Sequence, residues 1–277
     1  MPASVSGLVP PLKWHGGKHY LAGRIVTLMP PHTHYVEPYA GGLAVLLAKS
    51  PDGVSEVVND LDRRLTNFWK VLQDEAMFLA FHRLVEAIPF SEPEWHEARE
   101  ALAERQPSNK DEMVGQAAAF FVVCRQSLAG RMKGFASLSR RRTRRSMNEQ
   151  ASAWITAVDG LPAVHARLRR VAVLCRPAVD VLRSQDGPGT LFYLDPPYLE
   201  ETRSVPEVYG FEMSRTAHCE LLEVIRMVHG KVMLSGYPSM LYDSSLGDWS
   251  RHTFDLPNNA AAGKSKDRET EVLWCNF

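Results

Sequence analysis

The chain has 277 residues, 45% of them hydrophobic, and its 32 Lys and Arg balance 32 Asp and Glu, which fits one large domain or a domain carrying a sizeable insertion. No apolar run approaches the ~20 residues that cross a bilayer, and no basic-then-apolar leader is visible, so membrane and secretory classes are set aside and a soluble, intracellular protein is expected. The four cysteines, Cys124, Cys175, Cys219 and Cys275, are far apart, and the ten histidines show no metal-binding spacing; reduced thiols and no metal cofactor are expected.

The first polar loop, Leu12-Lys13-Trp14-His15-Gly16-Gly17-Lys18, lacks the spacing of a phosphate loop and by itself indicates no ligand. A strand is predicted near 34–38. It runs through Glu37-Pro38-Tyr39-Ala40-Gly41-Gly42 into the helix-like Leu43-Ala44-Val45-Leu46-Leu47-Ala48. Strand, small-residue turn and helix is how α/β proteins bring a nucleotide-like ligand against the backbone, although the spacing is not that of a pyrophosphate cradle. A second strand near 55–59 ends in Asp60, roughly 20 residues after the glycine turn, where nucleoside-binding folds commonly carry an acid for the ribose hydroxyls. Its competing role is to cap the helix that starts near Leu61, a duty Asp62 can share.

From 61 to 165 the pattern is mostly helical, as in Asn67-Phe68-Trp69-Lys70-Val71-Leu72 and Ala117-Ala118-Ala119-Phe120-Phe121-Val122-Val123. Within it, residues 125–148 contain no acid. Arg125, Arg131, Lys133, Arg140, Arg141, Arg142, Arg144 and Arg145 are interleaved there with Gly and Ser. Arginine-rich, flexible chain suits phosphate contact and bidentate reading of guanine, so these residues are the candidate DNA contacts despite the zero net charge.

Strands are predicted near 171–175 and 190–194. The second reads Leu191-Phe192-Tyr193-Leu194 and ends in Asp195-Pro196-Pro197-Tyr198. The prolines push the chain out of the ladder and donate no backbone hydrogen bond, leaving a carboxylate, carbonyl oxygens and an aromatic ring at one strand tip. Such a tip suits a planar ligand with an amino group, such as a nucleobase, whose hydrogens the oxygens accept and whose face the ring stacks on. A helix near 214–228 and strands near 230–235, 250–255 and 270–275 follow. Ser235-Gly236-Tyr237-Pro238 is read as a structural turn, with the border of a base pocket as its alternative, and Asn258–Arg268 equally as a loop able to clamp DNA or as a plain surface loop.

In this order, Lys-Trp-x-Gly-Gly-Lys, Glu-Pro-Tyr-Ala-Gly-Gly, Asn-Asp-x-Asp and Asp-Pro-Pro-Tyr resemble the adenine-specific DNA methyltransferases of the DNA adenine methylase type, across nearly the whole chain. The resemblance implies an α/β, Rossmann-like S-adenosylmethionine-dependent fold with a catalytic domain over 1–60 and 166–277 and a helical DNA target-recognition insertion over 61–165. It implies a cofactor site drawn from Trp14, Lys18, Glu37, Pro38, Tyr39, Gly41, Asp60, Asp180 and Asp195, and a catalytic tip at Asp195, Pro196, Pro197 and Tyr198. The implied activity is methylation of the exocyclic 6-amino group of an adenine flipped out of double-stranded DNA, in the cytoplasm of a bacterium or virus-infected bacterium. Cytosine as the target base, an RNA or glutamine substrate, and an inactive DNA-binding regulator are the alternatives. A single chain does not reveal whether a cognate restriction endonuclease exists. Leu43 and Tyr39 depart from the commoner glycine and phenylalanine of the resembling family, and Leu43 is expected to crowd the cofactor.

Overall fold

The computed structural model of the chain describes residues 7–14, 16–103, 106–202, 212–257 and 268–277. These belong to two compact units, one of Met1–Pro31, Gly41–Asp52 and Asp62–Cys175, the other of His32–Ala40, Gly53–Leu61 and Arg176–Phe277. In chain order, α1 (Ala22–Thr27) precedes β1 (His34–Glu37), α2 (Ala44–Ala48) and β2 (Ser55–Asn59). Then come α3 (Arg63–Gln73), α4 (Glu75–Ala87), α5 (Glu92–Ala101), α6 (Lys110–Gln126), the short strands β3 (Thr143–Arg144) and β4 (Met147–Asn148), α7 (Glu149–Asp159) and α8 (Leu161–Leu168). The remaining elements are β5 (Val171–Leu174), α9 (Ala178–Gln185), β6 (Thr190–Leu194), α10 (Arg215–Met227), β7 (Lys231–Gly236), α11 (Met240–Ser245), β8 (Ser250–Pro257) and β9 (Arg268–Cys275). Each strand and helix anticipated from sequence outside 61–165 has its counterpart here.

The second unit is built on a sheet in which the order runs β2-β1-β6-β7-β9-β8. The first four strands are parallel and β9 runs antiparallel to both β7 and β8. Strands covered on both faces read as continuous apolar runs rather than alternating ones. β6 accordingly buries all of Thr190–Leu194, and β7 is buried from Val232 to Gly236. From β1 the chain proceeds to β2 on one side, whereas β6 returns on the other. The boundary between β1 and β6 is therefore a topological switch point, where open α/β sheets form a crevice at the carboxyl ends of their strands.

One side chain ties that end of the sheet together. Asn59, 1% exposed, donates Nδ2 to the carbonyls of Pro38 and Arg176, both at 2.9 Å, and accepts from the Arg176 N–H at 3.0 Å. Its own carbonyl accepts from the Ala40 N–H at 2.8 Å. The chain segments leaving β1 and entering α9 are thus both fixed to the last residue of β2.

The first unit is helical and its core is aromatic. α3 places Leu65, Phe68, Trp69, Val71 and Leu72 inside. Phe68 stacks on Phe121 of α6 with centroids 5.8 Å apart and meets Phe81 of α4 edge-on. α6 is buried from Ala117 through Cys124, as expected of a helix apolar on nearly all sides. Side chains close the helix starts: Asp62 accepts from the Arg64 N–H, Asp74 from Met77, Asn109 from Glu112 and Asn148 from Gln150, each satisfying a donor that the helix leaves orphaned.

After α6 the chain folds back tightly. Gly130 sits at φ +70°, and a Cβ there would lie 1.8 Å from the Lys13 carbonyl oxygen. Beyond it, β3 and β4 form an antiparallel hairpin whose two turn residues, Arg145 and Ser146, both take positive φ (54° and 59°). Two left-handed residues in a two-residue loop match the type I′ hairpin, whose twist agrees with that of the strands.

Gly130→Ala is expected to destabilise the protein by at least about 2 kcal/mol, since it combines a left-handed backbone with a steric clash. Gly134→Ala, with nothing within 4 Å of the added Cβ, is the neutral comparison in the same thermal unfolding experiment. Asn59→Ala removes partners from three backbone groups, one buried and two part-buried, and should cost roughly 2–4 kcal/mol, read from the denaturant midpoint at unchanged slope.

Candidate active site

Three acids mark the carboxyl ends of neighbouring parallel strands in the sheet unit. Glu37 is the last residue of β1, Asp60 follows β2 and Asp195 follows β6. The pairing of Glu37 with Val58 and of Val36 with Phe192 sets Asp60 and Asp195 each two residues beyond the level of Glu37. Glu37 is buried and accepts the Tyr35 hydroxyl at 2.7 Å. Burial, reinforced by the Glu37 charge, holds the Tyr35 hydroxyl in its neutral, donating form by raising its pKa well above the usual value. The helix cap next to Asp60 is supplied by Asp62, so Asp60 is not the capping residue. Tyr39 lies between exposed and buried, its hydroxyl 3.8 Å from the Met213 sulfur, and its pKa is raised by burial first and by the charge of Asp60 second.

At the end of β6, Asp195 and Pro197 are half-buried and Pro196 is buried. Tyr198 turns back under this tip. It is 6% exposed, its hydroxyl stands 2.6 Å from Glu271 Oε1 and 3.2 Å from Asp195 Oδ1, and its ring meets Tyr237 edge-on at 4.6 Å. Tyr193, one residue into the strand, shares a hydrogen bond of 3.0 Å with Ser235 on β7. Burial and then the Asp195 charge raise its pKa well above normal. Asp180 is exposed in the first turn of α9, 3.9 Å from Arg183.

In the helical unit, Trp14 explains two glycines. A Cβ on Gly42 would lie 2.8 Å from Trp14 Cβ, and one on Gly41, at φ +46°, would lie 2.7 Å from Trp14 Nε1. The Gly-Gly pair therefore makes room for the indole as well as for any ligand. Leu43 follows with φ 56° and is 1% exposed. A left-handed leucine costs roughly 1–2 kcal/mol, which burial of its side chain, worth ~1.5–3 kcal/mol, offsets. The side chain is thus part of the core. Lys18 is buried and donates Nζ to the Gly16 carbonyl at 2.9 Å.

The basic residues divide into two kinds. Arg125, at the end of α6, donates Nη2 to the Ala153 carbonyl of α7 at 2.9 Å and is held inside the unit. Lys13 nearby donates to Gln150 at 2.9 Å, and burial, then the Arg125 charge, brings its pKa down to about 8. Arg131, Lys133, Arg140, Arg141, Arg142, Arg144 and Arg145 are exposed. Arg144 and Arg145 occupy the hairpin end, and Arg142 is 3.6 Å from Glu149. His15 and the polar loop from 258 to 267 lie outside the described residues. Among the described residues no group of three or more His, Cys, Asp or Glu is placed to hold a metal ion, and no helix is long and apolar enough to cross a membrane.

Sequence reading did not single out Glu271 or the clasp made by Asn59. Glu271 heads the otherwise apolar run Glu271-Val272-Leu273-Trp274-Cys275 and is 7% exposed. A lone charge starting a buried strand is the available signal. It names no partner, because Tyr198 is 73 residues away along the chain.

A family model for the D12 class N6 adenine-specific DNA methyltransferases matches residues 14–258. The chain is 24% identical over 284 residues to the type II methyltransferase M1.LlaDCHI of Lactococcus lactis subsp. cremoris, an alignment covering 98% of this chain and 96% of that protein. It is also 27% identical over 248 residues to the DNA N-6-adenine-methyltransferase of Escherichia phage P1, covering 84% of this chain and 31% of that one.

Proposed function

The chain belongs to the D12 class of N6 adenine-specific DNA methyltransferases, and from that premise we propose that Asp195 and Pro196 polarise the 6-amino group of a flipped adenine. The observation that carries this reading is the Asp-Pro-Pro-Tyr tip at the β1/β6 switch point, beside two further strand-end acids.

Membership implies S-adenosylmethionine, which when bound supplies an electrophilic methyl group on a sulfonium. The donor set of the sheet unit fits it: Asp60 ends β2 without serving as a helix cap, which supports a ribose-binding role, and Glu37, Pro38, Tyr39, Asp180 and Asp195 are assigned to the cofactor with it. In the helical unit Trp14, Lys18 and Gly41 are assigned on their motifs. The packing of Trp14 over Gly41 supports their acting together.

The lone pair of the adenine amine is delocalised into the ring, so the enzyme must localise it on nitrogen. If the Asp195 carboxylate and the Pro196 carbonyl each accept one amine hydrogen, they favour a tetrahedral nitrogen and stabilise the positive charge that develops there. Carboxylates are too weak as bases to ionise an aromatic amine beforehand, so the proton leaves with or after the methyl group. Pro197 keeps the tip out of the ladder. The amine is out of reach inside a duplex and the base must be flipped, at a few kcal/mol, which stacking of roughly 1–3 kcal/mol on Tyr198 offsets. Because Tyr198 is 6% exposed, the base reaches its face only by displacing what covers it.

The helical stretch 61–165 is proposed as the target-recognition region of double-stranded DNA. An arginine-tipped type I′ hairpin is narrow enough to enter a groove, which supports base or phosphate contact by Arg144 and Arg145 and phosphate contact by Arg131, Lys133, Arg140, Arg141 and Arg142. Arg125, which sequence reading grouped with them, braces α6 against α7.

In a methylation-deficient bacterial host, base-resolved sequencing should find N6-methyladenine at a recurring motif with the native chain. Asp195→Ala should lower transfer by at least about 100-fold while DNA affinity is kept; methylcytosine, or near-normal transfer by the variant, would sink the assignment. Replacing Arg144 and Arg145 together by Ala should weaken DNA binding by about tenfold or more and lower the log–log salt slope by roughly 2, measured by titration at several salt concentrations.

A further inference from the structure

We propose that Glu271 is a positioning residue for methyl transfer: by accepting the hydrogen bond of the Tyr198 hydroxyl it keeps that donor turned away from Asp195. The inference rests on the reading of Asp195 as the group that polarises the amine.

A phenol has one proton, and the Tyr198 hydroxyl faces two carboxylates. The 2.6 Å separation from Glu271 Oε1 falls in the range of a charge-assisted O–H to carboxylate bond. The 3.2 Å separation from Asp195 Oδ1 is longer than ordinary O–H to O bonds. The proton therefore lies towards Glu271, and Asp195 meets mainly the hydroxyl oxygen's side of a dipole pointing away. Both Tyr198 and Glu271 are nearly inaccessible, at 6% and 7%, so water competes little and the distinction between the two acceptors is sharpened by the low local dielectric.

The sheet dictates this arrangement. β9 is antiparallel to β7, with Val272 opposite Gly236 and Leu273 opposite Ser235. The start of β9 therefore meets the carboxyl end of the parallel strands, which is where Tyr198 turns under β6. The Tyr237 ring packs edge-on against Tyr198 at 4.6 Å. The neighbouring phenol, Tyr193, has its hydroxyl paired with Ser235.

Removing the acceptor has a specific consequence. Without Glu271 the Tyr198 hydroxyl turns to the carboxylate still in reach, donates to Asp195 and draws off the charge that the amine needs. The test uses the full chain, with enzyme in excess over sites in unmethylated bacterial DNA and labelled S-adenosylmethionine, reading the single-turnover rate. Glu271→Leu should slow transfer by roughly tenfold or more, with cofactor affinity changed by less than about twofold in equilibrium binding. Adding Tyr198→Phe to that variant should recover most of the lost rate, because no hydroxyl remains to turn on Asp195. A double variant as slow as Glu271→Leu overturns the proposal, since damage to the fold is not repaired by deleting a hydroxyl. If Glu271→Leu does not fold, Glu271→Gln replaces it: the weaker amide acceptor should give a few-fold loss that Tyr198→Phe again recovers, and no recovery overturns the proposal. Asp195→Asn in the same assay separates the two readings. Retained transfer there removes the premise, whereas its loss together with an unrescued double variant removes only the role of Glu271.

Discussion

The sheet unit depends on where its central ladder stops. β6 is buried along its whole length and pairs with strands on both sides, so nothing in its apolar sequence would end it. Two prolines do, because neither can donate to a ladder and the first also restricts the residue before it. Asp195 is thereby turned out of the sheet at a switch point, and the chain after it bends back far enough for Tyr198 to lie below the tip. Acid, carbonyl and ring are consequences of one interruption, so the chemistry proposed for the amine falls on a few consecutive residues.

The interruption would be of little use on a loose support. Asn59 fixes the neighbouring strand ends by bonding to backbone groups on Pro38 and Arg176, and Glu37 holds Tyr35 in a buried pair. These bonds stiffen the ends of β1 and β2, next to which Asp60 and Asp195 project. Preorganised acceptors assist a reaction only if they do not relax as charge develops, and the end of β1, the strand that pairs with β6, is clasped by the Asn59 amide.

What sequence could reveal follows from the range of the physics involved. Strand and helix placement depends on local runs of apolar residues and on prolines, so β6, β7, β9 and α10 were legible. So were the strand-end acids, since Glu37, Asp60 and Asp195 are each adjacent to the run they terminate. The role of Gly41 and Gly42 was only half legible: the need for small residues was visible, but the indole of Trp14 that requires them is distant in sequence. The same holds for Leu43, whose left-handed backbone explains why glycine suits that position while its buried side chain explains why leucine is tolerated. Arg125 illustrates the converse. In sequence it cannot be told from the other arginines of the basic stretch, and only tertiary packing supplies the Ala153 carbonyl that engages it.

Glu271, a carboxylate only 7% exposed, would be costly to the fold unless strongly hydrogen-bonded, and a hydroxyl at 2.6 Å is such a partner. The antiparallel run of β9 beside β7 is what delivers it, for a parallel strand in that place would present its carboxyl end there instead of its start. Topology thus supplies a second carboxylate next to the first, and a single phenol proton differentiates them. In the proposed mechanism one carboxylate accepts the phenol's hydrogen bond and becomes part of the scaffold, and the other keeps its charge for the amine.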